Sequence, residues 1–261
     1  MRVTAESIGF AAGDRSLVSD FSFEFHSGSL TAIIGPNGAG KTTLISLLAG
    51  DHTSSSGSVR YADESLDTVS IKRRAKLRAV LLHSQRSDTP FTVEQVVSMG
   101  RYADRGSTDD STAQKRPWVD DAMKSLDIHD IRNMPVRLLS GGEQQRVAIA
   151  RVIAQRTPVV LLDEPTTALD LGHQEAVLTL LRHLASLGHT VVAVLHDLNL
   201  VAYFDQVILL NQGRTATSGT PENVLTSEVL SAVYDHPVDV VRHPLRPGVL
   251  IVPRRSDPSD L

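Results

Sequence analysis

The stretch Gly35 to Thr43, GPNGAGKTT, fills every place of the pattern G-x-x-x-x-G-K-[ST]. Apolar Leu30, Ala32, Ile33 and Ile34 precede it, and Leu44, Leu47 and Leu48 follow at helical spacing. The expected order is therefore buried strand, glycine-rich turn, helix. Gly35, Gly38 and Gly40 let the backbone bend around a phosphate chain, with the peptide N–H groups at the helix start as donors. The nucleotide-binding residues expected here are Gly35, Pro36, Asn37, Gly38, Ala39, Gly40, Lys41, Thr42 and Thr43. Lys41 would reach the outer phosphates and the Thr42 hydroxyl would ligate Mg²⁺. The loop by itself implies a nucleoside triphosphate and leaves the reaction open.

A loop of this kind needs a sheet to carry it, and the strands are legible. Val159 to Leu162, Val191 to Leu195 and Val207 to Leu210 are continuous apolar runs, the pattern of parallel strands covered on both faces. Helical spacing over 174–187 stands between two of them, so the core reads as α/β with a mainly parallel, doubly wound sheet. Ahead of it, residues 3–10 and 20–26 read as short antiparallel strands, with Phe21, Phe23 and Phe25 alternating with polar residues. From Phe91 to about Arg137 the apolar spacing turns helical, interrupted by a polar stretch, 104–117, expected to be a surface loop. Residues 1–90 and 156–261 are thus expected to form a discontinuous core, with a C-terminal extension from about 211. An inserted helical subdomain is expected over 91–155.

Composition narrows the chemistry. Of 261 residues 41% are hydrophobic, enough for a sizeable core, and the net charge of -4 offers no general attraction to nucleic acid or anionic lipid. The basic cluster Lys72, Arg73, Arg74, Lys76 and Arg78 has no interleaved aromatic for base stacking and reads as a solvated helix face. Cysteine is absent, which excludes disulfides, thiolate metal sites and a cysteine nucleophile. The opening MRVTAESIGF lacks the basic start and apolar run of a signal peptide, and no stretch approaches the about 18 apolar residues of a membrane helix. The expectation is a soluble chain that meets a membrane only through a partner.

Hydrolysis of a phosphoanhydride needs a cradle, a metal to spread charge and a group to orient or deprotonate water. Asp163 and Glu164 stand at a strand's carboxyl end, the edge where ligands of open α/β sheets collect. Asp163 joins Thr42 as a Mg²⁺ partner, and Glu164 is free to act as general base. His196, at the end of another strand, could hydrogen-bond a γ-phosphate. In LLSGGEQQR, Ser140 and Glu143 form a capping-box pattern, but capping does not explain Gly141-Gly142, which leave room for something to approach the backbone.

Taken together and in this order, GPNGAGKTT (35–43), LSGGEQQR (139–146), LLDEPTTALD (161–170) and LHD (195–197) resemble the ATP-binding subunit of an ABC transporter. The resemblance spans nearly the whole chain and implies a P-loop NTPase core binding ATP and Mg²⁺. It implies that Phe10 stacks on adenine, that Glu164 and His196 are the catalytic glutamate and switch histidine, and that Asp163 organises the metal. Asp170, in Ala168-Leu169-Asp170, would signal across a dimer. Leu139, Ser140, Gly141, Gly142 and Glu143 would be the signature loop, which contacts the γ-phosphate held by a second copy, so a head-to-tail homodimer is implied. The family's glutamine after the strand at Ala79 to Leu82 is displaced: the register places His83 there and Gln85 two residues later. Either could serve the metal; Gln85 is favoured because an amide oxygen is a hard ligand.

Three further stretches, TPFTVEQVVSMGRY (89–102), LDLGHQ (169–174) and SGTPENVLTSEVLSAVY (218–234), resemble importers of iron chelates, haem and cobalamin, and LDEPTTALDLGHQ is most like haem importers. The implied role is the ATPase of a haem importer on the cytoplasmic face of the membrane, held there by permease subunits, with a substrate-binding protein as indirect partner. A ferric-siderophore or cobalamin importer is the alternative. A soluble ABC-type ATPase acting on nucleic acid or ribosomes is a reading of another class, but coiled-coil insertions, zinc cysteines and a second cassette are absent from the sequence. A phosphate-loop kinase would leave LSGGE without a use.

Overall fold

The computed structural model describes residues 1–82, 88–104, 112–245 and 248–254. Its centre is a six-stranded sheet. In chain order the contributing strands are β3 (Leu30–Ile34), β6 (Arg78–Leu81), β7 (Val159–Asp163), β8 (Thr190–Val194), β9 (Gln206–Asn211) and β10 (Arg214–Gly219). They lie in the order β10-β9-β3-β8-β7-β6, parallel except for the edge strand β10. Period-two alternation sends Leu30, Ala32, Val160, Leu162, Val191, Ala193, Val207 and Leu209 to one apolar layer. It sends Ile33, Val159, Leu161, Val192, Val194, Ile208 and Leu210 to the other. Both faces are covered, which is why these strands read as unbroken apolar runs.

The second layer contains α1 (Lys41–Ala49), whose Leu44, Ile45, Leu47, Leu48 and Ala49 are all buried. An amphipathic helix would leave one side to water; beyond Thr43 α1 does not, because a second sheet covers it. That sheet is antiparallel, in the order β2-β1-β4-β5, from β1 (Val3–Ala12), β2 (Arg15–Phe25), β4 (Ser56–Tyr61) and β5 (Glu64–Ser65). Phe21 and Phe25 are fully buried in this layer and Phe23 half-buried, as their alternation predicts. The first two strands run longer than the expected 3–10 and 20–26. Residues 11–19 carry little apolar signal, and the ladder of the hairpin across Gly13 and Asp14 extends them.

On the opposite face α3 (Val93–Met99), α4 (Thr112–Ser125) and α5 (Gly141–Ala154) pack against one another, while α2 (Ile71–Leu77) leads into β6. The basic cluster lies on and just after α2; Arg74 and Arg78 are spent on carbonyls of Gly50 and Ala49. Helix α4 begins inside the stretch expected to be a loop. Val119, Ala122, Met123 and Leu126, at i, i+3, i+4 and i+7, supply the buried stripe that holds it despite Pro117. Residues 105–111 of that stretch lie outside the described residues.

Helix α6 (Leu171–Ser186) connects β7 to β8. After β10 come α7 (Pro221–Val224), α8 (Ser227–Tyr234) and a hairpin of β11 (Val238–Arg242) and β12 (Val249–Pro253). The hairpin is tied to the turn after β8: Asn199 Oδ1 accepts from the Ile251 N–H at 2.8 Å, and its Nδ2 donates to the Ile251 carbonyl at 3.4 Å. No helix among the described residues is long and apolar enough to cross a membrane.

Candidate functional site

The loop joining β3 to α1 is held by close backbone contacts that only glycine permits. Gly35 has φ 148° and Gly40 φ 97°. A Cβ at Gly35 would lie 2.2 Å from the Leu210 carbonyl oxygen, and one at Gly40 would lie 2.3 Å from that of Leu17. The glycines thus seat the loop on β9 and β2 as well as shaping it. Helices α2, α3, α5, α6 and α8 are each capped by a side chain, from Ser70, Thr92, Ser140, Asp170 and Thr226. Helix α1 begins at Gly40 with no side-chain cap, so its first-turn N–H groups stay available to an anion.

Lys41 is 7% exposed, and its Nζ donates to the carbonyls of Gly35 (2.7 Å) and Pro36 (2.9 Å). Burial holds its ammonium pKa below the usual lysine value, opposed by the carboxylates of Glu164 and Asp163. Thr42 is exposed beside it.

The carboxylates come from the end of β7. Asp163 is 1% exposed and pairs across the sheet with Val194. Glu164 leaves the strand with φ 54°, a left-handed conformation costing a non-glycine residue about 1–2 kcal/mol. Its N–H donates to the Val194 carbonyl at 3.2 Å, and Gln145 Nε2 donates to the Glu164 and Pro165 carbonyls at 3.2 and 3.3 Å. The Glu164 carboxylate then bonds His196 Nε2 at 2.6 Å through Oε1, and accepts from the Thr167 hydroxyl at 3.2 Å through Oε2.

One cleft of about 320 Å³ is lined by Asn37, Gly38, Gly40, Lys41, Thr42, Thr43, Glu164 and His196, with Arg15 and Leu17 from β2; the buried Asp163 is not among its lining residues. Two of these side chains suit Mg²⁺. A hydroxyl at Thr42 and a carboxylate at Asp163 are hard oxygen ligands, and no cluster of three or more histidine or acidic residues fit for a metal occurs among the described residues.

Other expected residues are placed elsewhere. Phe10 is not among the cleft residues; it stacks on His52, ring centroids 5.1 Å apart and planes 21° apart. Leu139 to Glu143 are also outside the cleft of their own chain. Ser140 caps α5: the Glu143 carboxylate accepts from its N–H at 2.8 Å and its hydroxyl at 2.7 Å, which holds the Glu143 carboxyl below the usual range. A Cβ at Gly141 would meet nothing within 4 Å, whereas one at Gly142 would lie 2.9 Å from the Ala168 carbonyl. So only Gly141 is open to an outside group; Gly142 is approached by the chain's own Ala168-Leu169-Asp170 loop. Asp170 caps α6 through the His173 N–H at 2.9 Å and bonds His173 Nδ1 at 2.8 Å. His83 and Gln85 lie outside the described residues.

Sequence reasoning passed over Arg15, Gln145 and Thr167. Gln145 had a visible signal, a second glutamine in LSGGEQQR. The other two carry no signal until the fold brings Arg15 to the cleft and Thr167 to the Glu164 carboxylate.

The chain matches the ABC transporter family over residues 18–167. It is 43% identical to the hemin import ATP-binding protein of Rhodococcus jostii over 255 residues, 97% of this chain and 86% of that protein. Its fold is similar to that of a metal-chelate type ABC transporter in an inward-facing conformation, with a TM-score of 0.82, 29% identity and 99% of each chain covered. It is also similar to a dimeric ATP-binding cassette in a post-hydrolysis state bound to ADP and Pi (TM-score 0.74, 26% identity, 84% of this chain and 98% of that one). The matched segment contains the glycine loop, the capped signature turn and the strand ending in Asp163 and Glu164, and the chain belongs to the ABC transporter family.

Proposed function

We propose that this chain is the ATP-hydrolysing subunit of a haem importer, working as a head-to-tail homodimer on the cytoplasmic face of a membrane and bound there to permease subunits. The observation that carries the enzymatic part is the Glu164 carboxylate, held through both oxygens by His196 and Thr167 in the cleft that Lys41 and Thr42 line. In this reading Glu164 accepts a proton from the attacking water, and His196 orients that carboxylate and reaches the γ-phosphate. Lys41 leaves its two carbonyl partners for phosphate oxygens, and the uncapped start of α1 receives the charge of the chain. Thr42 and Asp163 would hold Mg²⁺, which when bound spreads the charge of the phosphates.

The dimer reading is supported by the signature turn. Leu139 to Glu143 do not reach the cleft of their own chain, yet Gly141 presents open backbone at the start of α5. The dimeric relative supports the same arrangement. The cargo reading is supported by the hemin import relative, while the metal-chelate transporter supports the wider class that includes siderophores and cobalamin.

ATP-dependent uptake by the complex reconstituted with its permease tests the proposal. Haem uptake lost on Glu164→Gln supports it. Uptake of a ferric siderophore or cobalamin with haem excluded would replace the cargo, and ATPase activity with no permease association would remove the transport role.

A further inference from the structure

The β1–β2 hairpin brings a side chain to the cleft that has no assigned task. Arg15, first residue of β2, pairs with Ala12 across the turn. It lines the cleft together with Lys41, Thr42 and Glu164. Its Nη2 lies 3.7 Å from where a Cβ on Gly38 would stand, so the guanidinium rests against the middle of the phosphate loop. Among the described residues the Arg15 side chain makes no hydrogen bond or ion pair.

The charges of the cleft show what such a group can do. Lys41 faces two carboxylates, Asp163 and Glu164, which both act on its titration. Of the side chains that line the cleft, Lys41 and Glu164 carry opposite charges and cancel, which leaves nothing to offset a polyphosphate carrying about four negative charges of its own. Arg15 gives those walls a net positive charge before any metal enters. A guanidinium is also permanently charged and presents paired N–H donors that match phosphate oxygens.

We infer that Arg15 is the second cation of the nucleotide site, binding the polyphosphate chain of ATP from the β1–β2 hairpin. This rests on the reading of the cleft as the nucleotide site. The contact with Gly38 puts the guanidinium at the loop that cradles phosphates, and the residue opposite it on the hairpin, Ala12, offers no surface on which a base could stack.

The test is equilibrium binding of MgATP and of inorganic tripolyphosphate to the full chain and to Arg15→Ala and Arg15→Lys. Arg15→Ala is expected to weaken both ligands by the same factor, about tenfold at low salt, and to lessen the salt dependence of binding. Arg15→Lys is expected to recover most of the loss. The Arg15 side chain is exposed, so an unchanged thermal midpoint certifies the fold of both variants. Wild-type affinity for MgATP in Arg15→Ala overturns the inference. So does a loss confined to MgATP, which would move Arg15 to the base or sugar. A wild-type chain that binds neither ligand would instead overturn the nucleotide reading of the cleft.

Discussion

His196 Nε2 lies 2.6 Å from Glu164 Oε1, although 32 positions separate the two residues in sequence. Neighbouring strands β7 and β8 end together, Asp163 opposite Val194, and each releases one functional side chain just past its last paired residue. The two side chains proposed as general base and orienting partner are therefore brought together by strand register.

Glu164→Gln keeps the shape of the side chain and removes its basicity. Single-turnover ATP hydrolysis is expected to slow by about 10²–10⁴-fold while nucleotide affinity stays within about threefold. A rate near wild type would require another base. His196→Ala is expected to lose about 10²-fold in the same assay, since Glu164 would lose the bond that holds its Oε1.

Gly35→Ala places a methyl group 2.2 Å from the Leu210 carbonyl oxygen in a backbone conformation that side chains rarely adopt. The expected cost is about 3 kcal/mol or more of stability, read from denaturant unfolding, with loss of nucleotide binding. Gly141→Asp has open space around it and should leave stability within about 0.5–1 kcal/mol while abolishing turnover. Gly142→Asp is a less direct probe, because the new side chain meets Ala168 of its own chain.

The Ser140–Glu143 box makes a pH prediction. Hydrogen bonds from the Ser140 hydroxyl and N–H hold the Glu143 carboxyl below its ordinary value. A depressed carboxyl contributes fully above its unfolded pKa, and the contribution disappears as pH falls through the folded value. Ser140→Ala is expected to cost about 1 kcal/mol at neutral pH, with the gap to wild type narrowing on acidification. A gap independent of pH would show that Glu143 is not the group concerned.

Asn199 joins the C-terminal hairpin to the segment three residues past His196. Asn199→Ala strands the Ile251 N–H and should cost about 1–3 kcal/mol, seen as faster hydrogen exchange of Ile251. If the hairpin steadies the switch histidine, ATP turnover drops as well; unchanged turnover would limit Asn199 to stability.

Much of this was legible in the sequence because it is written locally. A strand buried on both faces must be continuously apolar, a capping box must span four residues, and a phosphate loop must carry its glycines and Lys41 in register. The parallel strands of the central sheet and the positions of Asp163, Glu164 and His196 at strand ends followed from such patterns. Phe10 did not. Between Ala5 and Ile8, and again between Ile8 and Phe10, the pairing of β1 with β2 slips register, and Ser7 adopts φ 47°. Each irregularity breaks the count of two by which a residue's face is read, and the adenine-stacking role of Phe10 rested on the family resemblance alone; in the structure its ring stacks on His52.

The amino-acid sequence by itself determined that a phosphate-binding loop sits between a buried strand and a buried helix, with two carboxylates and a histidine at the same sheet edge. Tertiary structure alone decided that Gly35 and Gly40 abut carbonyls of other strands, that Gly142 is covered while Gly141 is open, and that Arg15 rather than Phe10 lines the cleft. The difference is physical. Periodicity and capping arise from neighbours a few residues apart, whereas these contacts join segments that only the closed sheet and its register bring within van der Waals reach.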